Sequence, residues 1–201
     1  MEISVTTPTT SEALVSLLKT KLGSQILETE VSLGDAVIRI PRAGMHEFFR
    51  LLKLDSELGF SMFIDVTVVD WLDARPNRFE VVYHLLNVPK RLRLRIKVDV
   101  SESSPEVDSV ADLWSAANFM EREAWDMYGV NFKGHPDQRR ILMYDEFEGH
   151  PLRKDYPVQG KQPRIPLRSP EVRNTAVDMV RPNLVNINRR SAANGKRSAN
   201  G

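Results

Sequence analysis

The chain contains no cysteine. Disulfides, thiolate-bound zinc and iron–sulfur clusters held by its own thiolates are therefore excluded, and the absence fits a reducing compartment. It also lacks any window close to the roughly 18 uninterrupted apolar residues that a membrane-spanning helix needs. Contact with a membrane is expected only through a partner. The opening stretch MEISVTTPTTSEAL is acidic and has neither a basic n-region nor an apolar core, so neither a secretion signal nor an arginine-rich transit peptide is expected. Catalytic motifs are missing too. There is no Gly-x-Ser-x-Gly, no glycine-rich phosphate cradle and no dinucleotide fingerprint. Carboxylates are common, but none combines with a nucleophile in a recognisable site.

What is present is an ordinary globular composition: 201 residues, 41% hydrophobic and 27% charged, enough for one core and some unstructured remainder. The net charge of +1 hides an uneven distribution. Residues 1–160 carry 19 Lys/Arg against 25 Asp/Glu, whereas residues 161–201 carry 9 against 2. An acidic body with a basic tail implies a separate task for the tail. The expected division is a domain over 1–160 and an extended, basic, proline-containing tail over 161–201, its last part disordered.

Periodicity fills in the domain. A capping box at Thr9 and Glu12 opens a helix with Leu14, Leu17, Leu18 and Leu22 on one stripe, and Gly23 stops it. Strands are expected over 25–33 and 36–40, turning at Gly34-Asp35, and a helix over 43–55 buries Met45, Phe48, Phe49 and Leu52. Three alternating strands follow. The first, 61–70, turns Met62, Ile64, Val66 and Val68 inward; the second, 79–88, turns Phe79, Val81, Tyr83 and Leu85. In the third, 91–100, Leu92, Leu94, Ile96, Val98 and Val100 face one way while Arg91, Arg93, Arg95 and Lys97 face the other, which reads as an antiparallel strand on the outer layer. Val88-Pro89-Lys90 is the hairpin turn before it. After the polar spacer SESSPEVDS, a long helix over 110–128 packs Val110, Leu113, Trp114, Ala117, Met120, Ala124 and Met127 on the sheet. The expected class is α+β, an antiparallel or mixed sheet packed against helices.

The densest stretch is 121–157. Glu121, Arg122, Glu123 and Asp126 lie on the end of the long helix. Two Gly-His-Pro turns follow, at 134–136 and 149–151, each trailed by paired cations, Arg139-Arg140 and Arg153-Lys154. Arg122 and Asp126 read as an i,i+4 pair on a solvated face. The helix dipole disfavours anions in the last turns, so Glu121, Glu123 and Asp126 call for cationic partners, in this chain or another. His135 and His150, with Asp137 and Asp155, invite a metal reading, but the spacing matches no compact motif. The plainer reading is an imidazole bonded to a backbone carbonyl to fix each turn. A nucleic-acid or anion-binding role would use the Arg91–Lys97 stripe and the tail, against a body that is net negative. His46 and His84 read as surface or sheet-face residues.

Those residues also carry a resemblance. Glu121-Arg122-Glu123, Asp126-Met127-Tyr128, His135, Arg139 and Ile141-Leu142, then Gly149-His150-Pro151-Leu152-Arg153-Lys154-Asp155-Tyr156-Pro157, resemble the signature of the C subunit of proton-pumping NADH–quinone oxidoreductase, respiratory complex I. Phe63-Ile64-Asp65-Val66-Thr67-Val68-Val69-Asp70 and Arg78-Phe79-Glu80-Val81-Val82-Tyr83-His84-Leu85-Leu86 are similar to its strand region. The likeness spans about residues 10–165. It implies a non-catalytic member of the peripheral arm, on the cytoplasmic side of a bacterial inner membrane. Such a chain packs on the quinone-pocket protein of the complex, its D subunit, and supports electron transfer from NADH to quinone. FMN, iron–sulfur clusters and quinone are then expected on partner subunits and none on this chain, and no nucleic acid is expected. In some bacteria the C and D proteins are fused; at 201 residues the chain accommodates the former alone. The same modules occur in membrane-bound hydrogenases and ferredoxin-linked complexes. The residues carried over are interface or structural ones: Glu121, Arg122, Glu123, Asp126, Tyr128, His135, Arg139, Arg140, His150, Arg153, Lys154 and Asp155.

Overall fold

A computed structural model describes residues 10–163. Thr9 and the expected tail from residue 164 onward lie outside the described residues. The first helix, α1 (Ser11–Leu22), is capped by Thr10, whose hydroxyl accepts from the Ala13 amide at 3.3 Å. The cap is thus one residue later than the capping-box reading put it. Leu14, Leu18 and Leu22 are buried. Gly23 keeps right-handed angles (φ −56°, ψ −32°) and leads into a 3-10 turn, Gly23–Gln25, instead of a left-handed stop.

Strands β1 (Glu28–Ser32) and β2 (Asp35–Ile40) form an antiparallel hairpin. Its turn falls on Leu33-Gly34, with φ of 53° and 86°, one residue earlier than expected. Two positive φ values match the right-handed strand twist. Helix α2 (Met45–Leu54) buries Met45, Phe48, Phe49 and Leu52, as its periodicity predicts. Strands β3 (Met62–Asp70), β4 (Phe79–Asn87) and β5 (Leu92–Val100) complete a five-stranded sheet in the order β1-β2-β5-β4-β3. β2 and β5 run parallel and the other pairs antiparallel, so the sheet is mixed and β5 lies inside it. A register shift between Phe63 and Asp65 changes which side chains of β3 point inward. Phe63, Val66 and Val68 are buried, while Met62 is 48% exposed. A bulge adds a residue to one strand and breaks the period of two, which an alternation argument cannot foresee.

One sheet face, through Ile38, Tyr83, Leu85, Ile96 and Val98, packs with α1 and α2 into a single core. Phe49 sits 4.8 Å from Tyr83 and 6.2 Å from Trp114, centroid to centroid. Each such fully buried large side chain contributes about 1.5–3 kcal/mol.

The polar spacer contains a strand, β6 (Glu106–Asp108), which pairs in parallel with β7 (Asn131–Lys133). Between them α3 spans Ala117–Tyr128 and packs along β3. It starts well after Val110. Residues 110–116 are turns, in which the amides of Leu113 and Trp114 both bond the Val110 carbonyl at 3.0 Å. Val110 and Trp114 are still buried, which is why their spacing imitates helix. The class is α+β.

Candidate functional site

Beside its apolar residues Ala117, Ala124 and Met127, α3 buries charge: Glu121 and Asp126 are fully buried and Arg122 nearly so. Buried charge is costly unless hydrogen-bonded, and each of the three finds backbone. Glu121 accepts from the Val110 amide at 2.8 Å and the Ser109 hydroxyl at 2.5 Å, which closes the turn ahead of the helix. Burial nevertheless outweighs those bonds and lifts its pKa from 4.5 to about 7. Arg122 donates to the carbonyls of Arg139 and Arg140, both at 3.1 Å. Asp126 accepts the amides of Ile141, Leu142 and Met143 at 3.1, 2.9 and 2.9 Å, and the Arg140 guanidinium at 2.6 Å. Burial opposes its ionisation, but the amides and Arg140 prevail and hold it below the usual carboxylate range. Arg122 and Asp126 are therefore not the i,i+4 ion pair that their spacing predicts. They grip one loop, the arginine by its carbonyls and the aspartate by its amides.

The grip continues along the chain. Arg140 also donates to the carbonyls of Phe147 and Gly149, at 2.7 and 3.1 Å. His150 donates from Nδ1 to the Asp126 carbonyl at 3.0 Å, and burial lowers its pKa. Arg153 donates to the Tyr128 carbonyl at 2.6 Å. Gly129 ends α3 with φ 76°, and a Cβ there would lie 2.5 Å from both the His150 ring and the Arg153 guanidinium. Glycine is needed at that position for backbone angle and for space. Further on, Asp70 accepts the Lys154 amide at 2.9 Å while paired with Arg78 at 3.0 Å. Arg78 also reaches Asp155 at 2.5 Å and Glu102. Gln162 bonds both backbone groups of Glu148 and the Tyr156 hydroxyl.

The remaining residues singled out from sequence sit differently. His135 bonds the Asn118 carbonyl through Nε2 at 3.0 Å and takes the Asp137 amide on Nδ1, also at 3.0 Å. Arg139 is exposed and paired with Asp137 at 3.0 Å, and Glu123 is exposed. Tyr128 and Lys154 enter the network through a backbone carbonyl and a backbone amide. His46 meets Asp112 at 2.9 Å. Asp70, Arg78 and Gln162 are the residues that sequence reasoning missed. Asp70 and Arg78 flank one hairpin, Asp70 opposite Phe79, so correct pairing of β3 with β4 would have brought them together.

Among the described residues no three His, Asp or Glu side chains gather as a metal site, and no helix is long and apolar enough to cross a membrane. Among exposed charges such as Arg139, Asp145 and Glu146, the network also presents apolar side chains outward. Leu142 is 56% exposed and Phe119, on the first turn of α3, 61%, with Ile141, Tyr144 and Leu152 also exposed. A shallow cleft lined by Gly149, His150, Arg153, Asp155, Tyr156 and Pro157 lies on the same segment. Its imidazole and guanidinium are engaged with backbone carbonyls. Such a site can grip a surface; its polar groups are arranged for bracing.

Residues 38–162 match the family described as respiratory-chain NADH dehydrogenase, 30 Kd subunit. The C subunit of NADH-quinone oxidoreductase from Geobacter metallireducens is 43% identical over 151 residues, covering 75% of this chain and 91% of that protein. Its counterpart from Rhizobium rhizogenes is 46% identical over 153 residues, covering 75% and 76%. Among solved structures, a trypsin-resistant fragment of Nqo5 is 34% identical with a TM-score of 0.55, over 62% of this chain and 98% of the fragment. A chain of the membrane-bound sulfane sulfur reductase, an archaeal respiratory membrane complex, shares the fold with a TM-score of 0.63 at 24% identity, over 86% and 92%. On the family match and these relatives, the chain belongs to the family of the 30 kDa subunit of respiratory-chain NADH dehydrogenase, the C subunits of NADH-quinone oxidoreductase.

Proposed function

We propose that this chain is a non-catalytic subunit of the peripheral arm of a proton-translocating NADH–quinone oxidoreductase. It docks beside the quinone-pocket protein of that complex, the D subunit, on the cytoplasmic side of the membrane. It carries no flavin, cluster or quinone of its own; electrons pass from NADH to quinone through its partners. The observation that carries this reading is the loop at 139–143, whose backbone is clamped by Arg122 and Asp126 while Ile141 and Leu142 face outward. Pre-ordering an apolar loop lowers the entropy cost of association. The buried charges keep that loop in one shape for a partner. The named relatives favour an NADH-linked assembly over a hydrogenase-type or ferredoxin-linked one.

The test is to tag the full-length chain in its own cells, purify it from detergent-solubilised membranes and identify what elutes. The expected result is a fixed-stoichiometry set that includes the quinone-site protein and oxidises NADH with quinone. Elution of the chain alone, or with a flavin or cluster bound to it, would overturn the proposal.

A further inference from the structure

The cationic stripe on the outer face of β5 is divided into two unlike halves. Toward the end of the strand, every cation on the sheet's outer face is answered. Glu80, nearly fully buried, is met by Arg75 at 2.7 Å, Arg39 at 3.1 Å and Lys97 at 3.8 Å. Arg39 also takes Asp99 at 2.5 Å and Glu28 at 3.1 Å. Toward the start of the strand, Arg93 and Arg95 have no carboxylate within 4.0 Å among the described residues. Arg95 donates its Nε to His84 Nε2 at 3.0 Å. That bond uses the imidazole as acceptor, so His84 is neutral and adds no repulsion, and the terminal nitrogens of Arg95 are left for another acceptor. The two arginines line a cleft with Asp35, Ile64, His84, Leu85 and Leu94, of about 290 Å³. Asp35 shares the cleft and is in salt-bridge contact with neither guanidinium.

The geometry points to this open half as a docking site for an acidic segment of a neighbouring protein chain, with Asp or Glu side chains entering between Arg93 and Arg95. Three features select that occupant. A guanidinium fork fits a carboxylate with two parallel bonds. Half-buried Ile64 gives the cleft an apolar wall beside its cations, whereas Leu85 and Leu94 turn their side chains into the core, so the cleft suits a side chain with an aliphatic stem more than a bare ion. And the same strand shows, one turn of alternation further on, that carboxylates are what this face accepts when they are supplied from within the chain. A nucleic acid would need a continuous positive track, which the Glu80 network interrupts. The site is separate from the loop at 139–143 and rests on the reading that the chain works within an assembly.

The experiment uses the tagged full-length chain in its native complex. Arg93 is replaced by the photo-crosslinker p-benzoylphenylalanine, the solubilised complex is irradiated, and the joined peptides are sequenced. The expected product joins position 93 to a segment of another subunit that holds at least two Asp or Glu. In parallel, Arg93→Glu/Arg95→Glu is expected to weaken retention of the chain in the complex on the order of tenfold or more, because like charges then meet. Lys19→Glu, an exposed reversal on α1, leaves retention unchanged. A crosslink to a neutral or basic segment, or to nucleic acid, overturns the inference. So does an intact complex in which position 93 joins nothing, or tight binding of inorganic phosphate to the chain alone. In each case co-purification of the complex still stands, so the docking inference fails without the broader reading. The crosslink needs no folded charge-reversal variant.

Discussion

Glu121 and Asp126 lie on one helix five residues apart, both fully buried, and they are shifted in opposite directions. Desolvation dominates for Glu121, whereas Asp126 collects three amides and a guanidinium. The signs have consequences for stability. A carboxyl raised from 4.5 to about 7 contributes fully below pH 4.5, and that contribution falls as pH rises toward 7, by about 3 kcal/mol at most. A depressed Asp126 does the reverse: its contribution is present above pH 3.8 and is lost as pH drops through its folded value. Glu121→Gln, which can still accept the Val110 amide, is therefore expected to match the unaltered chain at pH 5 and to melt higher at pH 8. Thermal scans at the two pH values decide it; an advantage for the unaltered chain that grows with pH would refute the assignment. Asp126→Ala leaves Arg140 and three amides without their partner and is expected to cost about 3–5 kcal/mol, measured by urea unfolding.

At the scale of elements, α3 and the segment after β7 behave as one unit. Gly129 is the joint between them, since its left-handed backbone and the closeness of His150 and Arg153 both forbid a side chain. Gly129→Ala is expected to destabilise by at least about 2 kcal/mol, from left-handed strain plus displacement of Arg153. It should also speed hydrogen exchange over 149–157 more than in the strands; uniform acceleration would argue against the joint. The strands and α2 were legible because one apolar face recurs with a fixed period, as in Leu92 to Val100. The start of α3 was not, since Val110 and Trp114 are buried from turns at helix-like spacing. The Phe63/Asp65 bulge left no mark in the pattern. Of the site, the dense stretch 121–157 stood out, but its wiring did not. Arg122 and Asp126 bond backbone groups some fifteen residues away, and backbone acceptors carry no signature in a sequence. A buried charge in a helix reads as a solvated one until its environment is known.

At the scale of the whole molecule, the described core closes by Pro163, with Gln162 still bonded to Glu148 and Tyr156. A chain ending at Pro163 is expected to melt within about 2 °C of the full chain, whereas one ending at Gly160 also loses the Gln162 bonds and melts lower. Calorimetry distinguishes them, and a large loss on removing only residues 164–201 would move the boundary of the core. Residues 1–160 carry an excess of acidic groups and residues 161–201 an excess of basic ones, so association is expected to weaken with salt. The central claim is that buried ion–backbone bonds hold Ile141 and Leu142 outward for a partner. It is tested most directly by reconstitution: membranes from cells lacking this chain are titrated with the purified full-length protein, and recovery of NADH–quinone electron transfer is followed. The unaltered chain should restore it, while Ile141→Asp/Leu142→Asp, folded and melting as before, should need on the order of tenfold more protein or more. Equal recovery by that variant would contradict the claim.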